Sequence, residues 1–446
     1  MPSPRFPEPP AAIPPTPKGA LDAAVERVAA QKDVWTTASI PERIRLLERC
    51  TEGLVMVAEA WVADACRAKG IAPDAPLAGE EWIAGPSTTI RNARLLVKSL
   101  EALGQRRPPS VRAREDGQLV ATVFPADGYE KAMFAGVKAE VWIEPGRPAS
   151  QGRIYREASA GGRVALVLGA GNVSSIAPMD AFYKLFVENE VVVLKTNPVN
   201  AYLGPHWEKA LAPLIEAGFL AIVHGGGQEG AFLAEHPRID TLHVTGSDKT
   251  YDAIVWGPPA EQARRKGAHD PKNRKPFTAE LGCVTPVLVV PGPWSAADME
   301  FQARQVAGMV AHNASFNCTA AKVLVVAKVW LQREAFLRHV EEALRAAPPR
   351  KAYYPGAVDR WRAFLDRYPN AKKLSPEAGA SAEPVVPWTL IPDVSATRGE
   401  YALSNEAFCG VLATVSLDAN GPVDFLAKAV DFANDDCWGT LSCTML

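Results

Sequence analysis

Cys318 stands between a polar run, His312-Asn313-Ala314-Ser315-Phe316-Asn317, and the small residues Thr319-Ala320-Ala321. A free thiol with a pKa of ~8.5 is only a few per cent thiolate at neutral pH. A helix end or a nearby cation lowers that value and makes a nucleophile. Taken alone, Cys318 reads more readily as a packed structural cysteine. Glu280 lies in Phe277-Thr278-Ala279-Glu280-Leu281-Gly282, a short, partly apolar stretch. A carboxylate there is either solvated or, partly buried with a raised pKa, a general base. Lys195 ends an apolar strand pattern, and Asn172 follows a glycine. An asparagine amide can donate to a developing oxyanion, although after glycine it is more often a turn residue.

The elements that must position these residues are legible as periodicity. Four apolar runs, Val164–Leu168, Val191–Leu194, Ala221–His224 and Leu242–Val244, alternate with helical patterns over Ala177–Asn189, Tyr202–Glu216 and Gln228–Glu235. That alternation predicts βαβ crossovers and a parallel sheet. The runs are followed by Gly169-Ala170-Gly171-Asn172, Lys195-Thr196-Asn197, Gly225-Gly226-Gly227 and Thr245-Gly246-Ser247. Open α/β sheets bind ligands beyond the carboxyl ends of their strands, so the four ends together point to a nucleotide crevice. A second α/β block is predicted from a strand at Val287–Val290, a helix at Ala296–Ala311, a strand at Lys322–Ala327 and a helix at Leu331–Arg345. Ala346–Glu406 is proline-rich and reads as loop, and a strand at Gly410–Leu417 with a helix at Val423–Asn434 completes the block. Upstream, Ala20–Gly70 and Thr88–Leu103 are helical, with Pro41 placed to open a helix, and Val111–Arg156 has short β-like runs at Leu119–Phe124 and Glu140–Ile143.

Composition excludes several classes. A formal charge of −2 gives no global field for nucleic acid or an anionic membrane. The basic connector Arg264–Lys275 has no interleaved aromatics and reads as a solvated loop. No apolar run approaches the ~20 residues of a membrane span. Seven cysteines without a Cys-x-x-Cys pair oppose both a disulfide framework and a metal site, and fit a reducing, cytoplasmic setting. Eight prolines within Met1–Lys18 predict a flexible, extended tail.

Read as an ordered set, these pieces resemble the aldehyde dehydrogenase superfamily. They are Gly171-Asn172, Val193-Leu194-Lys195, Thr245-Gly246-Ser247, Ala279-Glu280-Leu281-Gly282, Asn317-Cys318 and Asn405-Glu406-Ala407-Phe408. Glu280 precedes Cys318 by 38 residues and Glu406 follows it by 88. The similarity runs from near Gly161 to the end, with insertions after Trp256 and Arg345. It implies an α/β fold with a Rossmann-type parallel-sheet cofactor domain, an α/β catalytic domain and a β oligomerisation arm. The implied division is a tail at 1–19, a cofactor domain at 20–124 and 151–265, the arm at 125–150 and the catalytic domain at 266–446. It further implies an aldehyde substrate, NAD or NADP as cofactor, no metal, and a homodimer or homotetramer. Cys318 would be the nucleophile, its own N–H and Asn172 the oxyanion hole, and Glu280 the base. Lys195 would hold the adenosine ribose, Gly246 and Ser247 the pyrophosphate, and Glu406 the nicotinamide ribose beside Phe408.

The departures from the family pattern are informative. Ala170-Gly171 replaces a common Pro-Trp before the asparagine, Cys409-Gly410 replaces the Gly-Pro after Phe408, and a helix glycine is missing near Tyr251. Pro198 stands where NAD-preferring members carry a glutamate, so no carboxylate there repels a 2′-phosphate. Three rival readings remain: a CoA-acylating relative, which Glu280 opposes, a catalytically inactive nucleotide-binding member, and an unrelated α/β nucleotide-binding protein that carries the motif set by chance. Asn434–Ser442 resembles a landmark that the family normally continues beyond, so a C-terminally incomplete chain is expected from the stop at Leu446.

Overall fold

The computed structural model describes residues 13–446 except 73, 104, 106, 151, 158–160 and 376–383. Three sheets organise it. The smallest is antiparallel and built from β1 (Ser110–Ala113), β2 (Leu119–Phe124) and β3 (Ala139–Trp142), in that order. The second comprises β4 (Val164–Leu168), β5 (Val191–Lys195), β6 (Leu220–Val223), β7 (Thr241–Thr245) and β8 (Phe277–Glu280). Its order is β6-β5-β4-β7-β8, all parallel. The third contains β9 (Pro286–Val289), β10 (Val323–Ala327), β11 (Lys372–Lys373), β12 (Thr389–Val394), β13 (Val411–Leu417) and the edge strand β14 (Thr444–Met445). Each large sheet is the centre of its own hydrophobic core.

β4 and β5 are buried at every residue, as Val-Ala-Leu-Val-Leu and Val-Val-Val-Leu-Lys require. Strands covered on both faces read as continuous apolar runs rather than alternating ones. The chain reverses direction across the sheet at β4, whose neighbours are β5 and β7. Such a switch point opens a crevice beyond the strand ends. The register places Lys195 opposite Leu168 and Glu280 opposite Thr245, so the candidate residues share the carboxyl edge.

Helix ends follow local chemistry. Ile40–Lys69 begins with a capping box, in which the Ser39 side chain accepts from the Glu42 N–H, and has Pro41 in its first turn. It ends at Gly70, whose φ of 66° suits a residue without a Cβ. That stop leaves Lys69 at the inner end of the helix.

Several expectations need correction. β1 and β2 pair with β3, so residues assigned to the cofactor domain through 124 belong to the small sheet that was placed at 125–150. β8 joins the cofactor sheet although the division put 266 onward in the catalytic domain. In both cases strand pairing, a long-range property, overrides the local texture used to draw the boundary. The proline-rich stretch 346–406 holds a helix, Ala357–Arg367, which buries Val358, Trp361 and Phe364 at helical spacing, and the strand β12. The basic connector begins inside a helix, Pro259–Gly267, and its Arg265, Lys266, Lys272 and Arg274 pair with acids. Tyr202–Glu216 is broken into two short helices, Gly204–Ala210 and Ala212–Glu216. Of the N-terminal tail, 1–12 lies outside the described residues. Thr16 is pinned, its N–H donating to the His224 carbonyl at 3.0 Å and its hydroxyl accepting from the His224 N–H at 2.9 Å. Among the described residues no helix is long and apolar enough to cross a membrane, and no cluster of three metal-ligating side chains is found.

Candidate active site

A cleft of about 870 Å³ lies between the carboxyl edge of the cofactor sheet and the third sheet. Asn172, Lys195, Gly246, Ser247, Glu280, Cys318, Glu406 and Phe408 all line it. The sequence places these eight residues in six separate segments, and the fold brings them to one cleft.

Of the seven cysteines only Cys318 lines the cleft, where it is half-buried. Burial pushes the Cys50, Cys409 and Cys437 thiols up to about 12, so they stay protonated at neutral pH. The Cys318 thiol is also raised, first by burial and then by the Glu280 carboxylate, with Lys322 opposing the shift. The resting thiol is therefore protonated, and its activation requires a base or a change in the charges around it.

The chain reaches Cys318 through an unusual turn. Asn313, Ala314 and Ser315 have φ of 51°, 54° and 70°, three consecutive residues with a Cβ in the left-handed region. Each such residue costs of order 1–3 kcal/mol and persists only where its surroundings over-determine it. The surroundings here are a buried polar network. The Asn313 amide donates to the Asn172 carbonyl at 3.0 Å and the Phe316 carbonyl at 3.2 Å, while its oxygen accepts from Lys69 at 3.0 Å and Tyr353 at 2.9 Å. Lys69 in turn pairs with Glu81 at 2.8 Å, and both are almost fully buried. Glu80 bonds Arg350 at 3.0 Å. These contacts tie the helices of the cofactor side to the cysteine turn, and removing one partner of a buried pair costs about 3–5 kcal/mol.

Asn172 Nδ2 donates to the Phe316 carbonyl at 2.9 Å. A primary amide has two N–H groups, so one remains for a ligand. Glu280 is exposed to the cleft, and its carbonyl accepts from the Gly246 N–H at 3.0 Å. Ser247 caps the helix Asp248–Trp256, its hydroxyl accepting from the Thr250 N–H at 3.2 Å. The three members of this strand end thus form one connected rim.

At the other end, Lys195 is 7% exposed, and its ammonium donates to the carbonyls of Gly225 at 2.8 Å and Gly226 at 3.4 Å. Burial lowers its pKa to about 8, partly opposed by Glu229. Gly227 has open space where a Cβ would stand, so the wall beside Lys195 is bare backbone. A buried ammonium, a glycine wall and a serine-capped helix end are the donor set that suits a dinucleotide's ribose and pyrophosphate.

Glu406 is placed differently from what its proposed role alone suggests. Its carboxylate pairs with Lys322 at 3.2 Å, and burial raises its pKa while Lys322 opposes the rise. Its Oε2 lies against Gly282, in the space that a Cβ there would occupy, so glycine allows this approach. Phe408 packs near Phe316 and Tyr354, and Arg360 holds the backbone carbonyls of Ala407 and Phe408 at 2.9 and 3.0 Å. Lys322, Arg360, Lys69, Asn313 and Tyr353 were not singled out as site residues. Lys322 alone carried a local signal, a lysine opening a buried strand four residues after the thiol.

Known proteins share this fold. The family model described as "Aldehyde dehydrogenase family" matches residues 164–355. An NAD-dependent aldehyde dehydrogenase from Sinorhizobium meliloti superposes with a TM-score of 0.68 at 15% identity, covering 97% of this chain and 75% of that one. The NADP-dependent glyceraldehyde-3-phosphate dehydrogenase from Bacillus halodurans, solved with NADP, gives 0.64 at 17% identity, covering 97% and 84%. An aldehyde dehydrogenase from Mycobacterium tuberculosis, solved with NAD+, gives 0.65 at 16% identity, covering 95% and 77%. The chain thus has the fold of aldehyde dehydrogenases and is similar to that family over residues 164–355.

Proposed function

We propose that the protein oxidises an aldehyde to a carboxylic acid with NAD or NADP as cofactor, using Cys318 as nucleophile and Glu280 as base. The observation that carries this reading is that Cys318, Asn172 and Glu280 line the same cleft as Lys195, the glycine wall and the Ser247-capped helix.

Cys318 gives up its proton and its sulfur bonds to the aldehyde carbonyl carbon, making a tetrahedral thiohemiacetal. The developing oxyanion is received by the Cys318 N–H and the free N–H of the Asn172 amide. A bound nicotinamide supplies the hydride acceptor. Lys195 would hold the cofactor's adenosine ribose, Gly246 and Ser247 its pyrophosphate, and Glu406 with Phe408 its second ribose. Once the carbon is a thioester, Glu280 takes a proton from water, the hydroxide attacks the acyl carbon, and the Cys318 thiolate leaves. Pro198 lines the cleft beside Lys195 and presents no carboxylate, which supports acceptance of a 2′-phosphate.

The exposed apolar residues Tyr129, Met133, Val137 and Trp142, on or beside the small sheet, support its reading as an oligomerisation arm for a homodimer or homotetramer.

An aldehyde panel assayed for NADH and NADPH, with Cys318→Ala alongside, tests the reading. Turnover that disappears in Cys318→Ala supports it, and turnover that survives refutes the nucleophile. Product forming only when CoA is added would replace hydrolysis by acyl transfer to CoA.

A further inference from the structure

Lys322 is 3% exposed and its ammonium is surrounded by oxygens. It donates to the carbonyls of Ala320 at 2.9 Å, Asn317 at 3.2 Å and Cys318 at 3.4 Å, all in the turn that carries the thiol. Its fourth oxygen partner is Glu406 Oε1 at 3.2 Å. The three carbonyls take the ammonium's three N–H groups, and Glu406 Oε1 faces it as an ion pair without accepting a hydrogen bond. Thr285 Oγ1 gives the Cys318 carbonyl a second donor at 3.1 Å. One cation therefore bridges the carboxylate read above as a ribose ligand and the backbone of the nucleophile.

We propose that Lys322 is a positioning residue that couples ribose recognition at Glu406 to the reactivity of Cys318. A ribose hydroxyl donating to Glu406 shares the carboxylate's lone pairs and weakens its claim on the ammonium. The ammonium then turns its field more fully onto the Cys318 turn, which favours the thiolate. The thiol proton passes to Glu280 or to solvent, and no redox change is involved. With the cleft empty, Glu406 engages Lys322 and the thiol stays protected. The charged groups acting on Cys318 are the Glu280 and Glu406 carboxylates and the Lys322 ammonium. Glu406 faces Lys322 and Arg360, and Lys322 faces Glu406 and the Cys283 and Cys318 thiols. This inference rests on the proposed roles of Cys318 and Glu406.

The test is the pH midpoint of Cys318 alkylation by iodoacetamide, located by peptide mass spectrometry, with and without NAD or NADP. In that reaction the thiolate sulfur bonds to the methylene carbon and iodide leaves. The midpoint is read rather than the rate, because a bound dinucleotide also alters access to the thiol. Lys322→Met should raise the midpoint by about one pH unit and Glu406→Gln should lower it, because one removes a cation and the other an anion. The downward shift caused by cofactor in the parent should at least halve in Lys322→Met. Midpoints that move the same way in both variants, or an undiminished cofactor effect in Lys322→Met, overturn the proposal. If Lys322→Met does not fold, Lys322→Met/Glu406→Gln removes both buried charges and must also show the diminished cofactor effect. Cys318→Ala separates the two levels. Activity surviving in it defeats the nucleophile assignment, whereas activity lost with unmoved midpoints defeats only the role of Lys322.

Discussion

Two buried lysines mark the two ends of the cleft, and their surroundings are opposite. Lys195 ends β5 with its ammonium on two backbone carbonyls, and burial brings its pKa down to about 8. Lys322 opens the approach to β10 with a carboxylate 3.2 Å away. The first carries an unsatisfied preference for a polar or anionic ligand. The second has its counter-charge already, so a ligand reaches it only through Glu406. On the proposed roles, the lysine that binds is left short of partners and the lysine that positions is saturated with them.

The comparison breaks most visibly at the chemistry between the two ends. Glu280→Gln should retain the first-turnover burst of reduced cofactor and lose about 10²–10⁴-fold in steady-state rate. Equal burst and steady rates matching the parent would remove Glu280 from the mechanism. At the positioning end, Lys322→Met should cost about 3–5 kcal/mol in urea unfolding, because Glu406 is left as a buried charge without its partner. Glu406→Gln should cost clearly less. Equal losses would mean that the ion pair is not the unit that matters.

At the binding end the prediction is reversed. Lys195→Met should not lower stability at neutral pH, because it removes the burial penalty of the ammonium, and should weaken dinucleotide binding by about 10–100-fold, the worth of one or two charge-assisted hydrogen bonds. The pH dependence has a definite sign. The lowered pKa means that the folded state disfavours the charged form, so the burial penalty is fully present below about pH 8. It is relieved as pH rises toward the ordinary lysine value, and stability from this group therefore increases across that window. Binding that needs the ammonium falls over the same window, and calorimetric titration should find that fall in the parent and not in Lys195→Met. The smallest effect belongs to the wall beside it: Pro198→Glu should shift the ratio of kcat/KM toward NAD over NADP by about tenfold, the scale of one like-charge contact. An unchanged ratio would place the 2′-position elsewhere.

Local chemistry carried much of this protein. Apolar runs, strand-end glycines and the helix-opening Pro41 depend on residues within a few positions, and they placed β4, β5, β7 and the start of the long helix. The ordered motifs named the eight cleft residues in advance. Local texture failed where pairing partners are distant. β8 looked like the start of the catalytic domain until it paired with β7, and proline density hid the helix Ala357–Arg367, whose buried face is set by packing against the third sheet.

The sequence by itself therefore determined which residue types stand at the strand ends, and that a parallel sheet presents Lys195 and Glu280. Tertiary structure alone decided that Asn313 is held left-handed by Lys69 and Tyr353, and that Glu406 is bound to Lys322. The reason is physical. Periodicity and capping are energies of neighbours along the chain. The partner of a buried charge is chosen by desolvation, which exists only after distant segments have closed around it.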